Sequence, residues 1–443
     1  MAACYVGEDL DQRQASFELF ARRLPNGFGY LIAMGLEQAL EYLESFQFSD
    51  AHIEALQRLG TFNHVPSEFW ELLHNARFTG DVWAVPEGTA MFAHEPLLRV
   101  EAPLWQAQIL ETYLLNSLNY QTLVATRAAQ IRDIAGDEAK ILEFGSRRAF
   151  SPQASLWAAR ASLAAGFDGT SNVLAALQLG QSPKGTMAHS LVMALSAVNG
   201  SEDDAFTAFH RYFPGAALLI DTYDVHSAAQ RLADQVAAGT MTVDAVRLDS
   251  GDLVELSKMV RSLLPNVTIF ASGDLDGAEI ARLQSEGAVI DGYGIGTKLV
   301  TGQPVNGVYK LVEIDGIPTM KGATGKVTYP GRKQVFRQFD SKGNVVGDRL
   351  GLMFEAESES ESQAESPSHA EMPLLQPVMK QGKRLAEPEP LDAIAQRTHH
   401  SVTLLPPEIR KIHSPATLTP TISSALKILT EDTQKTIQQI YTQ

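Results

Sequence analysis

The sequence predicts an α/β protein whose central part is a barrel of strand–loop–helix units. Three observations carry that expectation. First, six short runs pass from apolar residues into Gly, Asp, Ser or Thr: KILEFGSRR, AAGFDGTSN, ALLIDTYD, AVRLDSGDL, TIFASGDLD and VIDGYGIGTK. Such runs suit buried strands with polar ends. Second, with PKGTMAHS as a seventh polar cluster and Gly145, Asp168, Gly185, Asp221, Asp249, Ser272 and Gly292 as markers, the intervals are 23, 17, 36, 28, 23 and 20 residues. Third, helical patterns such as DLVELSKMVRSLL and GAEIARLQSEG fill several of the gaps. Polar clusters at successive strand ends converge on the face of a barrel that carries its chemistry. A doubly wound open sheet gives the same local pattern, so spacing favours the barrel without excluding the sheet.

Composition sets the outer bounds. The chain has 443 residues, 44% hydrophobic, with a net charge of −16. That is enough for two or three domains with a sizeable core and excludes disorder throughout. One cysteine, Cys4, rules out an intrachain disulfide framework or a cysteine-built zinc site and suits a reducing, cytoplasmic setting. No run approaches a membrane span, no signal peptide is evident, and the acidic balance argues against non-specific nucleic-acid binding.

Along the chain, SFELFARRLP alternates as a strand does, PNGFGY reads as a turn, and LIAMGLEQALEYLESF has helical periodicity. DVWAVPEGTAMFAHEPLLRV reads as short strands broken by turns, and one continuous helix is expected from Pro103. After the barrel, VNGVYKLVEIDGIPTMK places Asp315-Gly316 between apolar runs, a hairpin signal, and KQVFRQFDSKGNVVGDRL repeats the pattern. Residues 354–371 hold six Glu and no Lys or Arg, the composition of a solvated loop. TISSALKILTEDTQKTIQQIYTQ closes the chain as a helix.

Candidate chemistry gathers at the predicted strand ends. LDSGDL and ASGDLD offer Gly for close backbone approach, with Ser272, Gly273, Asp249 and Asp252 as donors or acceptors for phosphate, ribose hydroxyls or a magnesium ion. The plainer alternative is that Ser-Gly-Asp caps the next helix. GYGIGTK, with Gly294, Gly296 and Thr297, looks like a terminal-strand phosphate cradle or a tight turn. Arg147 and Arg148 are adjacent at a strand end, where buried guanidinium would need an anion. Arg247 stands in an apolar strand and should find a fixed or ligand carboxylate. GTMAHS sets His189 among small donors, Thr186 included, and no metal-binding His spacing occurs.

In order, EFGSRRAFSPQASLWAARASLAAGFDGTSNVLAA, GTMAHS, LLIDTYD, VRLDSGDL, FASGDLD and GYGIGTKL closely resemble nicotinate phosphoribosyltransferase. FELFARRLP, GYLIAMGLEQALEYL and PEGTAMFAHEPLLRVEAPL extend the likeness over most of residues 1–350, and it resumes near 373. The resemblance implies an irregular phosphoribosyltransferase-type α/β barrel (103–303) and a smaller α+β domain built from both chain ends. That domain would take 1–102, a β-rich return segment 304–353, and 372–443 with the terminal helix. It implies nicotinate, phosphoribosyl pyrophosphate and ATP as substrates with Mg²⁺, a phosphorylated His189, Thr186 and Arg247 on nicotinate, Thr297 on phosphoribosyl pyrophosphate, and a homodimer. His189 and Asp249 are then the catalytic candidates. The family's opening Asp-x-Tyr-x-x-Thr-Met-Ala segment, whose Tyr stacks on nicotinate, is unmatched: the chain opens Met1-Ala2-Ala3-Cys4-Tyr5, as though the start were assigned too late. A related pyridine phosphoribosyltransferase and a catalytically impaired binding protein stand as the alternatives.

Overall fold

A computed structural model of the chain describes residues 1–321, 328–356 and 370–442. Most of the acidic segment, 357–369, lies outside the described residues. Two units are distinguished, one made of residues 1–123 and 304–443, the other of 124–303. The unit built from both chain ends takes the greater share of the sequence. Among the described residues no helix is long and apolar enough to cross a membrane.

The end-built unit owes its composition to one strand. Gln14–Ala21 pairs antiparallel with Pro96–Pro103 on one side and with Gly307–Ile314 on the other. A seven-stranded sheet thereby draws on both ends of the chain. SFELFARRLP forms the expected strand, and every residue after Gln14 in it is buried. Glu18 is not a solvent-facing position; its carboxylate meets the buried Lys333 ammonium at 2.8 Å. A central strand covered on both faces can carry charge only in such pairs.

Asp315-Gly316 turns the expected hairpin between Gly307–Ile314 and Ile317–Pro318, with φ of 47° and 77°. Two predicted helices come out differently. The run from Leu31 first forms a short strand, Leu31–Ile32, and the helix starts at Leu36 because Gly35 is left-handed at φ 102°. The helix expected from Pro103 is two helices, Leu104–Ile109 and Glu111–Ala135, interrupted at Leu110.

In the second unit the six predicted runs all become strands: β1 (Lys140–Glu143), β2 (Gly169–Thr170), β3 (Leu218–Leu219), β4 (Ala245–Leu248), β5 (Thr268–Ala271) and β6 (Gly292–Ile295). All neighbours are parallel, in the order β2-β1-β6-β5-β4-β3. This order is that of a ring in which the last strand pairs with the first. The ladder fails only between β2 and β3, so the sheet is an α/β barrel with one opened seam. Two of the markers, Asp168 and Gly292, sit at the opposite ends of their strands. Asp168 precedes β2 and binds Arg132 and the Ile141 amide, while Asp291 precedes β6 and binds Arg261 and the Ile269 amide. These carboxylates tie strand beginnings together, away from the strand ends that carry the site.

Candidate active site

The carboxyl ends of β1, β2, β4, β5 and β6, with the 185–189 segment, surround a cavity of about 750 Å³. Register places the two Ser-Gly-Asp loops side by side, because Leu248 and Ala271 are partners across β4 and β5. Ser272 Oγ then donates to Asp249 Oδ1. Gly273 must be glycine: its φ is +92°, and a Cβ would lie 2.2 Å from the Asp249 carbonyl oxygen.

Asp221, two residues past β3, binds the Asp249–Ser250 loop from the other side. Its Oδ2 accepts from the Asp249 amide at 2.9 Å and from Ser250 Oγ at 2.6 Å. Its Oδ1 is buried without a hydrogen-bond partner. His189 opens the helix His189–Asn199 and is held at Nδ1 by Thr222 Oγ1 at 3.1 Å. Its Nε2 faces Asp249 Oδ2 at 3.8 Å and Asp221 Oδ1 at 4.0 Å. An imidazole between two carboxylates, anchored through its other nitrogen, is fixed in direction.

Arg247 reaches into the cavity from β4. Nη2 lies 3.3 Å from Asp249 Oδ1, and Nη1 donates to the Met187 carbonyl at 3.3 Å. Nε is buried with no partner, and the guanidinium stands 6.0 Å over the Phe144 ring. Its contacts are thus long, and one N–H is open to an acceptor. Thr186 spends its hydroxyl proton on the Ala217 carbonyl at 2.6 Å.

Arg147 and Arg148 line the same cavity but are exposed on a turn, not buried as their strand-end position suggested. Neither makes an ion pair among the described residues. The turn is shaped from below by Glu143, fully buried at the end of β1, which accepts from Thr170 Oγ1 at 2.5 Å and from the Gly145 and Ser146 amides. Burial raises its carboxyl above the usual range, and these hydrogen bonds partly oppose that.

Ser272, Gly273, Gly294, Gly296 and Thr297 also line the cavity. Gly294 sits within β6, and the Phe144 ring lies 2.5 Å from where its Cβ would be, so this glycine seats an aromatic ring. Asp252 is not among the lining residues. Its carboxylate caps the helix Leu253–Leu263 by accepting from the Val254 and Glu255 amides, as the plainer reading of Ser-Gly-Asp has it. Sequence reasoning passed over Asp221 and Glu143 as site residues. Both carry the same signal, a lone carboxylate closing a buried apolar run.

A barrel with free guanidinium groups, small donors and an oriented histidine at its strand ends defines an enzyme that handles a polyanionic substrate together with a carboxylate. Family models agree with that class along nearly the whole chain. The nicotinate phosphoribosyltransferase N-terminal domain matches residues 1–119, the nicotinate phosphoribosyltransferase family 139–321, and the C-terminal domain 332–430. The chain belongs to the nicotinate phosphoribosyltransferase family.

Among its relatives, nicotinate phosphoribosyltransferase pncB2 of Mycobacterium tuberculosis is 42% identical, covering 93% of this chain and 87% of its own length. The Bacillus subtilis enzyme is also 42% identical, over 80% of this chain and 74% of its own. The crystal structure of human nicotinic acid phosphoribosyltransferase superposes with a TM-score of 0.81 at 30% identity, covering 98% of each chain.

Proposed function

We propose that the chain transfers a phosphoribosyl group from phosphoribosyl pyrophosphate to nicotinate, giving nicotinate mononucleotide and pyrophosphate. The observation that carries this is Arg247: a largely buried guanidinium with an unpartnered Nε, beside an aromatic ring and at the edge of a cavity rimmed by Arg147 and Arg148, which make no ion pair among the described residues. Its partner is the nicotinate carboxylate, held by a charge-assisted bond, which also disfavours nicotinamide. Phe144 and Thr186 flank the pyridine ring. Arg147, Arg148 and the amides around Gly273 and Thr297 take the phosphates.

In the step itself the ribose C1–oxygen bond to pyrophosphate breaks and the pyridine nitrogen lone pair forms the new C1–N bond. No proton moves, so the protein's contribution is orientation and neutralisation of the departing pyrophosphate. Among the described residues no cluster of three or more His, Cys, Asp or Glu forms a cage for a metal. Mg²⁺ carried on the pyrophosphate would supply charge neutralisation, and Asp249 is the carboxylate that would steer it or the ribose hydroxyls.

His189 takes the γ-phosphoryl group of ATP on an imidazole nitrogen as ADP leaves, and water later releases it as phosphate. The geometry that supports this is the fixed ring between Asp221 and Asp249, at the edge of the substrate cavity. A homodimer fits the exposed apolar side chains Leu174, Leu177, Met193 and Val198 on two neighbouring stretches of the barrel unit. The exposed Cys4 suits the cytoplasm.

The test is to incubate the chain with nicotinate, phosphoribosyl pyrophosphate, Mg²⁺ and ATP, and to assay nicotinate mononucleotide, pyrophosphate and ADP, with nicotinamide in parallel. Product from nicotinate alone is expected, and its absence contradicts the reading. The variant His189→Ala is expected to lose ATP stimulation while keeping some ATP-independent turnover; undiminished stimulation contradicts the histidine's role.

A further inference from the structure

Strand β6 gives two of its four positions to glycine, Gly292 and Gly294. Glycine weakens a strand interior, so its place there marks a close approach by some other group. Neither residue has a positive φ, so the backbone itself does not demand glycine at either position. An aromatic ring does so in each case. A Cβ on Gly292 would lie 2.5 Å from Phe270 Cε1, and one on Gly294 would lie 2.5 Å from Phe144 Cε2 and 2.6 Å from its Cδ2.

The two seats differ in what the ring faces. Phe144 and Gly294 both border the catalytic cavity, whose walls include neither Phe270 nor Gly292. The main chain of Phe144 is pinned to the same strand, since its amide donates to the Ile295 carbonyl at 2.7 Å. Bulk added at Gly294 therefore moves the ring and not the backbone, and a ring lifted off β6 enters the cavity it borders. The Arg247 guanidinium stands 6.0 Å from that ring. We infer that Gly294 is a positioning residue for the pyridine: by letting Phe144 lie flush against β6, it sets the width of the slot beside Arg247 that receives the substrate ring. This rests on the reading that Phe144 flanks nicotinate bound at Arg247.

The experiment compares the full chain with Gly294→Ala, Gly292→Ala, Phe144→Leu and the Gly294→Ala/Phe144→Leu pair. It reads kcat, KM for nicotinate and for phosphoribosyl pyrophosphate, calorimetric binding of nicotinate, and the thermal midpoint. Gly294→Ala is expected to weaken nicotinate about tenfold or more in both KM and binding, while KM for phosphoribosyl pyrophosphate stays within about twofold. Gly292→Ala crowds a ring away from the cavity; it should lower the thermal midpoint and leave both KM values within about twofold. With Phe144→Leu already in place the clash is relieved, and adding Gly294→Ala should weaken nicotinate by less than about threefold.

An unchanged nicotinate affinity in Gly294→Ala overturns the inference, as does a full loss that Phe144→Leu does not relieve. Equal rises in both KM values also overturn it, because Gly294 would then belong to a phosphate cradle. Absence of turnover in the parent would instead sink the proposed reaction, and the binding series would still decide the role of Gly294. A parent that binds no nicotinate at all overturns both.

Discussion

Two buried arginines of the end-built unit are finished differently from the arginines of the barrel cavity. In the end-built unit Arg337 gives both ends of its fork to Asp348, at 3.0 and 2.7 Å, with both side chains buried. Arg99 is likewise saturated, by Glu101 at 2.7 Å and the Lys333 carbonyl at 2.6 Å. In the barrel cavity Arg247 has two contacts at 3.3 Å and an open Nε, and Arg147 and Arg148 have no ion pair among the described residues. A cation buried for structure is closed by the fold itself, since an unpaired one would be costly. A cation kept for a ligand is left with open hydrogen bonds, and the ligand completes them. The contrast sets Arg337 and Arg99 apart from the cavity arginines; Arg22 of the end-built unit, with a buried Nε and Nη2 that lack a hydrogen-bond partner, does not follow it.

The sharpest way to break the contrast is to open a closed pair. Asp348→Ala strands the Arg337 guanidinium in the core and should cost about 3–5 kcal/mol of stability, read as a fall in the urea midpoint. Removing an open cation should do the reverse, leaving stability nearly unchanged while reducing activity. Arg247→Ala is expected to lower kcat/KM for nicotinate about 10²-fold or more, with a thermal midpoint close to that of the parent.

A smaller effect is expected one layer below the arginines. Glu143→Gln loosens the turn that presents Arg147 and Arg148, and should raise KM for phosphoribosyl pyrophosphate by about 3–10-fold while KM for nicotinate stays fixed. Equal rises in both constants would show a general loss of structure instead.

The smallest effect is a pH slope. Burial, and next the neighbouring Asp348 carboxylate, push the Glu95 carboxyl well above its ordinary value of 4.5. The folded state therefore holds a proton that the unfolded state releases first. Its contribution is fully present below the unfolded pKa and is lost as pH rises through the folded one, by at most about 1.4 kcal/mol per pH unit. Glu95→Gln should flatten that slope in urea midpoints measured upward from pH 4.5; an unchanged slope would assign it to other groups.

Much of this was legible in the sequence because buried parallel strands write themselves as apolar runs with polar ends. All six barrel strands follow that rule, and so His189, Arg247, Asp249, Ser272 and Thr297 fall at one cavity. What the runs do not carry is direction at single residues. Asp252 resembled a ligand carboxylate, yet Asp252 and Glu255 have the spacing of a helix start, and capping prevails. The Glu18–Lys333 pair is also beyond a local pattern, because the two residues lie more than three hundred positions apart. Gly35 was hidden within a helical periodicity that side chains set and backbone conformation overrides. Asp221 was visible as a marker, but its role depends on the β3–β4 pairing that brings it under Asp249.

The central claim is that Arg247 is an open cation completed by the substrate carboxylate. The most direct test measures kcat/KM for nicotinate and nicotinamide with the parent chain and with Arg247→Gln. The account predicts a preference for nicotinate of about 10²-fold or more in the parent, collapsing to within about tenfold in the variant as the charge partner is lost. A variant that kept the parental preference would contradict it, because the carboxylate would then be recognised elsewhere.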